Sequence, residues 1–465
     1  MKDYPWNRRQ FVTRPLIGLA AAQLLKSPGF LFAEQASGAA AAGAKKPIMR
    51  PLGKTGISLP VVSAGATQVA ALIKRSYELG VRYFDTAAGY GNGQNETMLS
   101  STIKEMGVRD KVLVATKVDM PMAMRQSTTG MTAAQLKDAL TEALDASLKR
   151  MGFDYLDIVL QHAASSADSV KTEGVLEALS AWKKSGKARF VGVSTHGGQQ
   201  EVLNAMAELG VHDVAMFSIN RTMASNNGLL AAMDAAYKKG IGLVAFKSLA
   251  GGGMPGGGAP GGPPGGAPGG GGQGGAQGGP PGGAMQGGPP QGGSQGNAQG
   301  GPPGGGPGGG GRGGPPGGGM QSATVTNPTA LIKWVLQHEQ VATVITNYGT
   351  FDQLEQNFSV AYDLAYTDSE KKFVSDEKAV SQLEFCQQCG SCRAGCPARA
   401  DIPTLMRSHM YALQYRDQEK ALYALASIPK GKGLDACANC ETCRAACVNT
   451  VNIARKVADL KGLIC

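Results

Sequence analysis

At 465 residues the chain has room for more than one domain, since domains run at roughly 100–200 residues. Its net charge of +10 is scattered, and no Lys/Arg run with interleaved aromatics gives it a nucleic-acid footprint. All nine cysteines lie after residue 385, which points to a local metal or cluster module rather than disulfides stapling the whole fold.

In chain order, residues 1–44 read as a leader. Asn7-Arg8-Arg9-Gln10-Phe11-Val12 precedes a moderately apolar stretch from Pro15 to Ala33, then a small-residue run from Ala36 to Ala44. Paired arginines followed by Phe resemble a twin-arginine signal. The expected location is therefore periplasmic, or otherwise exported by that route. Lys26 and Pro28 break the apolar stretch, so no stable membrane span of about 20 residues is expected there.

Residues 47–365 alternate strand-like and helix-like segments. The strand candidates are Val61–Ala66, Arg82–Asp85, Val112–Lys117, Tyr155–His162, Phe190–Ser194, Val214–Ile219, Leu243–Lys247 and Ala342–Thr346. Between them lie amphipathic stretches. Thr132–Met151, for example, places Leu136, Leu140, Leu144 and Leu148 four apart on one helical face. Eight βα units predict an α/β fold of the (β/α)8 TIM-barrel type. The alternative is a doubly wound open sheet, which the lack of a G-x-G-x-x-G after the first strand disfavours.

In such a barrel the C-terminal strand ends face the active site. Those ends carry Asp85, with Tyr90 in the loop that follows, then Lys117, then His162. Each alone has a bland reading: turn chemistry, a solvated strand end, a satisfied core histidine. Together they make a general acid set. A phenol whose pKa is near 10 releases its proton at neutral pH only with help, which a neighbouring ammonium supplies. Asp85 would hold that lysine, and His162 would orient a carbonyl.

This constellation resembles the aldo-keto reductases from about Arg50 to Phe358. The resemblance rests on Arg50-Pro51-Leu52-Gly53-Lys54-Thr55-Gly56, Phe84-Asp85-Thr86-Ala87, Tyr90-Gly91, Asn95-Glu96 and Gly192-Val193-Ser194. It implies Tyr90 as acid/base, Lys117 and Asp85 tuning it, His162 at the carbonyl, and hydride transfer from a nicotinamide dinucleotide, NAD(P). It further implies Ser194 at the carboxamide, with Thr195 where Asn is usual. Asn220 is the nearest candidate for the remaining carboxamide contact, Phe246 for the aromatic beneath the ring, and Asn357 for the adenine contact. The segment Thr346–Gln353 has no cation where the family places one on a 2′-phosphate. The charge-assisted bonds so lost, about 1.5–3 kcal/mol each, argue against NADP.

Residues 251–319 form a low-complexity Gly/Pro-rich insert between the seventh strand and its helix. Such a composition cannot bury enough apolar surface to offset its ordering entropy, and a disordered loop is expected. The linker 366–385 opens with Thr367-Asp368-Ser369-Glu370, a capping-box pattern, and predicts one helix of about 16 residues, roughly 24 Å long.

Residues 386–465 carry two cysteine runs. Cys386-x2-Cys389-x2-Cys392-x3-Cys396-Pro397 is followed by Cys437-x2-Cys440-x2-Cys443-x3-Cys447, the two-cluster ferredoxin pattern. Three close thiolates bind three corners of a [4Fe–4S] cube and the fourth ligand comes from the other run. Two clusters are expected: one on Cys386, Cys389, Cys392 and Cys447, the other on Cys437, Cys440, Cys443 and Cys396. Zinc sites and disulfides are the alternatives, which this spacing suits less well. About 40 residues separate the runs, and Pro403–Ile428 reads as helical, so the module resembles the α-helical ferredoxin type.

Two functions are open at this stage. One is an aldo-keto reductase-like oxidoreductase that interconverts a small carbonyl and an alcohol and exchanges electrons with a redox partner through two [4Fe–4S] clusters. The other is an electron-transfer subunit whose barrel is a docking scaffold.

Overall fold

The computed structural model describes residues 46–67, 69–121, 130–250, 327–415, 417–438, 440 and 442–464. The expected leader and the Gly/Pro-rich insert lie outside the described residues.

The chain enters through a short antiparallel hairpin, β1 (Met49–Pro51) with β2 (Ser58–Pro60), in the register Met49↔Pro60. Sequence reading gave this stretch no structure of its own. Leu52, Ile57 and Leu59 are buried and pack with Tyr83, Leu113 and Ile158 in the barrel interior, so the hairpin plugs the floor. Arg50 fastens it there by donating to the carbonyls of Leu336, His338 and Val341 at 2.7, 3.1 and 2.9 Å.

Eight parallel strands then close a barrel: β3 (Val62–Ala64), β4 (Tyr83–Asp85), β5 (Leu113–Val118), β6 (Leu156–Gln161), β7 (Ala188–Thr195), β8 (Val214–Ser218), β9 (Gly242–Phe246) and β10 (Val341–Thr346). β10 pairs with β3 in the register Val344↔Val62, which completes the ring. Each strand segment named from the sequence contains its observed strand, apart from end residues. Alternation does the layering. On β5, Leu113 and Ala115 point into the barrel, while Val114 and Val118 face the helices. The helix Ala133–Met151 buries Leu136, Leu140, Leu144 and Leu148 as its spacing requires. A Thr132–Gln135 capping box starts it, and Gly152 at φ 59° ends it.

The linker differs from expectation. Its Thr367–Glu370 capping box forms, but the single long helix is two short ones, Asp368–Ser375 and Glu377–Ser381. Asp376 breaks them apart. Its carboxylate accepts from the amides of Lys378 and Ala379 at 2.9 and 3.1 Å, a local alternative to the helical ladder. The break turns the chain up the barrel wall. Arg221, in the loop after β8, donates to Val374 O at 2.8 Å and pairs with the Glu377 carboxylate.

The cysteine module is mainly helical, as expected. Its helices Ile402–His409, Gln418–Ala426 and Ile453–Ile464, with Ile428 just past the second, gather Ile402, Leu405, Ile428 and Leu460 around the cysteines. It is also built into the barrel. Leu383, Phe385 and Met410 belong to the barrel's own outer hydrophobic cluster. Among the described residues no helix is long and apolar enough to cross a membrane.

Candidate active site and cluster sites

Three consecutive strand ends bring the four candidate catalytic residues together. Lys117 Nζ lies 2.5 Å from Asp85 Oδ2, 2.8 Å from Thr86 O and 3.5 Å from Tyr90 Oη. The His162 ring packs edge-on to Tyr90 with centroids 6.0 Å apart. Its Nδ1 lies 2.9 Å from Asp119 Oδ1. Asp119 escaped the sequence reading, although it stands just two residues past Lys117. The Asn95-Glu96 pair supports the site from behind. Asn95 accepts from Thr86 Oγ1 at 2.7 Å and donates to Thr67 O at 2.7 Å, while the buried Glu96 pairs with Arg150.

Electrostatics follow from burial. Desolvation lifts the Asp85 carboxyl above its ordinary value despite the Lys117 ammonium. Desolvation, then the charges of Asp85, Asp119 and Asp417, push the Tyr90 phenol well above 10.0. Tyr90 is thus held as the neutral phenol, a proton donor. His196, 6.2 Å from His162 and 5.0 Å from Phe246 by ring centroids, is pushed well below its ordinary value by burial and by the cations around it.

The candidate cofactor residues lie on the same face with local partners. Ser194 Oγ accepts from Ala163 N at 3.1 Å. Thr195 Oγ1 donates to Gly197 O at 2.6 Å. Asn220 caps the turn after β8, accepting from Thr222 N at 3.1 Å and donating to Lys247 O at 3.3 Å. All three are buried. Phe246 is half-buried against His196. Asn357 is fully buried, and its Oδ1 has no partner among the described residues. It is an acceptor left open where the resemblance sets an adenine amine, so at that end the chain fits a dinucleotide.

The cysteine module covers this face, which the sequence did not reveal. Lys420 Nζ lies 4.9 Å above the Tyr90 ring, itself held by Asp417 at 2.9 Å. Tyr423 packs on Gly89 so closely that a Cβ there would stand 2.9 Å from the phenol ring. Gln388, between two cluster cysteines, packs on Gly197 in the loop after β7, where a Cβ would meet the Gln388 Cβ at 2.6 Å. Lys247, the residue after β9, lies between Phe246 and the module's Tyr411, at 5.8 and 5.5 Å from the two rings.

The thiols sort into the two expected sets. Cys386 and Cys392 both face Cys447, and Cys392 also faces Cys389. Cys437 faces Cys396, Cys440 and Cys443. Among the described residues all eight stand as free thiols. Groups that donate to sulfur are in place: Gln388 Nε2 to Cys386 and Ser391 Oγ to Cys389 at 3.4 Å each, Asn449 N to Cys447 at 3.4 Å, and Ala400 N to Cys396 at 3.5 Å. Two sets of four thiols, each completed from the other run and each with N–H or O–H donors to sulfur, fit two cubane clusters.

Comparison with known proteins agrees with this division. Residues 63–267 match the Aldo/keto reductase family, and residues 385–452 match a 4Fe-4S dicluster domain. The barrel is thus similar to the aldo/keto reductases and the tail to 4Fe-4S dicluster domains. L-glyceraldehyde 3-phosphate reductase of Escherichia coli is 29% identical over 223 residues, 44% of this chain and 62% of that protein. Methylglyoxal reductase DkgB of Salmonella typhimurium is 31% identical over 185 residues, 40% of this chain and 62% of that protein. The chain thus spans about three fifths of these relatives' length. Among solved structures, aldo-keto reductase AKR11C1 from Bacillus halodurans is 17% identical with a TM-score of 0.45, covering 71% of this chain and 95% of that one.

Proposed function

We propose that the protein is an oxidoreductase that interconverts a small carbonyl compound and its alcohol at Tyr90, and that its two [4Fe–4S] clusters exchange electrons with a redox partner. One observation carries the reading: Lys117 Nζ, buried together with Asp85, bridges that carboxylate and the Tyr90 hydroxyl. A scaffold has no use for a buried ion pair aimed at a phenol.

In the reducing direction, the substrate oxygen lies between the Tyr90 hydroxyl and His162. Tyr90 gives its proton to that oxygen, and Lys117 stabilises the phenolate left behind. Asp85 holds Lys117 aimed at the phenol. A nicotinamide, when bound, supplies the hydride that goes to the carbonyl carbon. Hydride and proton together convert C=O to CH–OH, and the oxidation runs the same steps backwards. Asn357, Phe246 and Ser194 are the residues that would hold the dinucleotide. Without a cation along Thr346–Gln353, NAD is favoured over NADP. The names of the relatives, reductases of a sugar-phosphate aldehyde and of methylglyoxal, favour a small aldehyde or ketone as substrate. The Arg8-Arg9 leader motif supports export with the clusters already assembled.

A specific observation favours a second reading, an electron-transfer subunit with a docking barrel. Ser194, Thr195 and Asn220 are buried and already bonded to this chain's own groups. Two measurements on anaerobically purified protein separate the readings. Denatured protein releasing nicotinamide nucleotide along with about eight irons supports the enzyme. Tyr90→Phe should abolish carbonyl turnover while leaving iron content unchanged. No carbonyl turnover by the native protein, with about eight irons but no nucleotide bound, would support the second reading instead.

A further inference from the structure

The module and the barrel meet at a small cavity lined by Lys247, Cys386, Gln388, Met406, Arg407 and Met410. Lys247 is the one barrel residue in that lining. Its backbone adopts φ 58°, a left-handed conformation that side-chain-bearing residues rarely hold. The loop so bent delivers the ammonium between Phe246 and Tyr411. Neither Lys247 nor Arg407 has a carboxylate partner among the described residues. Arg407 has one long bond, to Thr404 Oγ1 at 3.4 Å. The one carboxylate lining the cavity, Glu384, is already held by Arg455 at 2.6 Å and Lys456 at 3.6 Å. Lys247, Arg407 and Lys456 thus line the cavity with Cys386, and burial, then the Arg407 charge, push the Lys247 pKa well below its ordinary value, the mark of a buried basic group with no carboxylate beside it.

A cubane held by four thiolates is an anion. Its net charge becomes one unit more negative on reduction, so a fixed cation beside it favours the reduced form. The second thiol set has a different neighbour, Lys461, whose Nζ donates to Cys437 O at 2.8 Å.

We propose that Lys247 is a positioning residue for the cluster on Cys386, Cys389, Cys392 and Cys447: a barrel lysine whose charge, with Arg407, raises the reduction potential of that cluster alone. The strand end that carries Phe246 into the active site thereby also sets the potential of the cluster nearest to it. The effect requires the module to be docked on the barrel, and it stands whichever substrate the barrel takes.

The test is a redox titration of the full-length, cluster-loaded protein followed by EPR, which resolves two one-electron potentials and needs no substrate. Lys247→Met should shift the reduction equilibrium of one cluster at least tenfold towards the oxidised form, about 59 mV for one electron. Lys247→Arg should restore most of it. Lys461→Met should move the other cluster instead. If Lys247→Met fails to load eight irons, Arg407→Gln approaches the same cavity from the module side and should act in the same direction. The proposal is overturned if Lys247→Met, or Arg407→Gln in its place, leaves both potentials unchanged, or moves the same cluster as Lys461→Met.

Discussion

The Asp85–Lys117 pair gives the sharpest quantitative expectation. The two side chains are 7% and 3% exposed, and their contact is 2.5 Å. Lys117→Met removes the ammonium and leaves a carboxylate whose Oδ1 already lacks a partner among the described residues. Breaking a buried pair by deleting one member costs about 3–5 kcal/mol, because the remaining charge stays desolvated. At about 1.4 kcal/mol per factor of ten, the folding equilibrium should fall by roughly two to three and a half decades. Denaturant unfolding followed by the fluorescence of Trp182, buried in the barrel's helical layer, reads this directly. Adding Asp85→Asn removes the orphaned charge and should recover most of the loss. The pH dependence has a definite sign. Burial raises the folded-state pKa of Asp85, so its contribution is fully present below the unfolded value and is lost as pH rises through the folded value. Without Lys117 the folded value rises further, and the deficit of Lys117→Met should shrink towards acid pH. A loss under about 1 kcal/mol, no rescue by Asp85→Asn, or a deficit that grows in acid would refute the reasoning.

Two further outcomes follow from the same geometry. Tyr90 is held as a phenol well above the ordinary tyrosine value of 10.0, so the rate of carbonyl reduction should stay level from neutral pH to about that value and fall only beyond it; a fall centred near pH 7 would assign the proton to another group. Gly197→Val places a Cβ 2.6 Å from Gln388 Cβ, against about 3.5–4.0 Å for an ordinary carbon contact. Overpacking of this kind costs about 1–3 kcal/mol, so the module should loosen, seen as faster proteolysis between residues 383 and 402 with the barrel intact.

The barrel was legible because each strand is a short apolar run and each helix shows its buried stripe, as Leu136 to Leu148 do. The strand ends then named Asp85, Lys117 and His162 without any tertiary information. The cysteine sets were legible because spacing alone fixes which ligand must come from the other run. Other features were invisible for physical reasons. Asp376 reads as an ordinary exposed helix residue until its carboxylate is seen capping the next segment. Lys420, Tyr423, Gln388 and Lys247 carry no periodic or motif signal. They matter through contacts between segments far apart in sequence, and the close approaches at Gly89 and Gly197 look like ordinary loop glycines until the opposing side chain is in place.

Under the proposed function those contacts bear on how two kinds of electron chemistry are joined. A carbonyl–alcohol step moves two electrons as one hydride, whereas a cubane moves one at a time. A cluster domain on a free tether would leave the barrel's chemistry unaware of cluster charge. Here the module lays Lys420 over the Tyr90 ring and Tyr423 on the catalytic loop, and the barrel returns Lys247 to the side of Cys386. Each half therefore places a charge in the other's low-dielectric site, where electrostatic interactions are strongest. Two clusters can together hold two electrons, the number one hydride carries. Their potentials need not be equal for that to work, and the basic residues beside Cys386 and Cys437 differ. Docking rather than mere fusion is thus what the sequence of the tail encodes. Lys420 and Tyr423 of the helix Gln418–Ala426 meet Tyr90 and Gly89, while Cys440 and Cys443 of the second set are exposed.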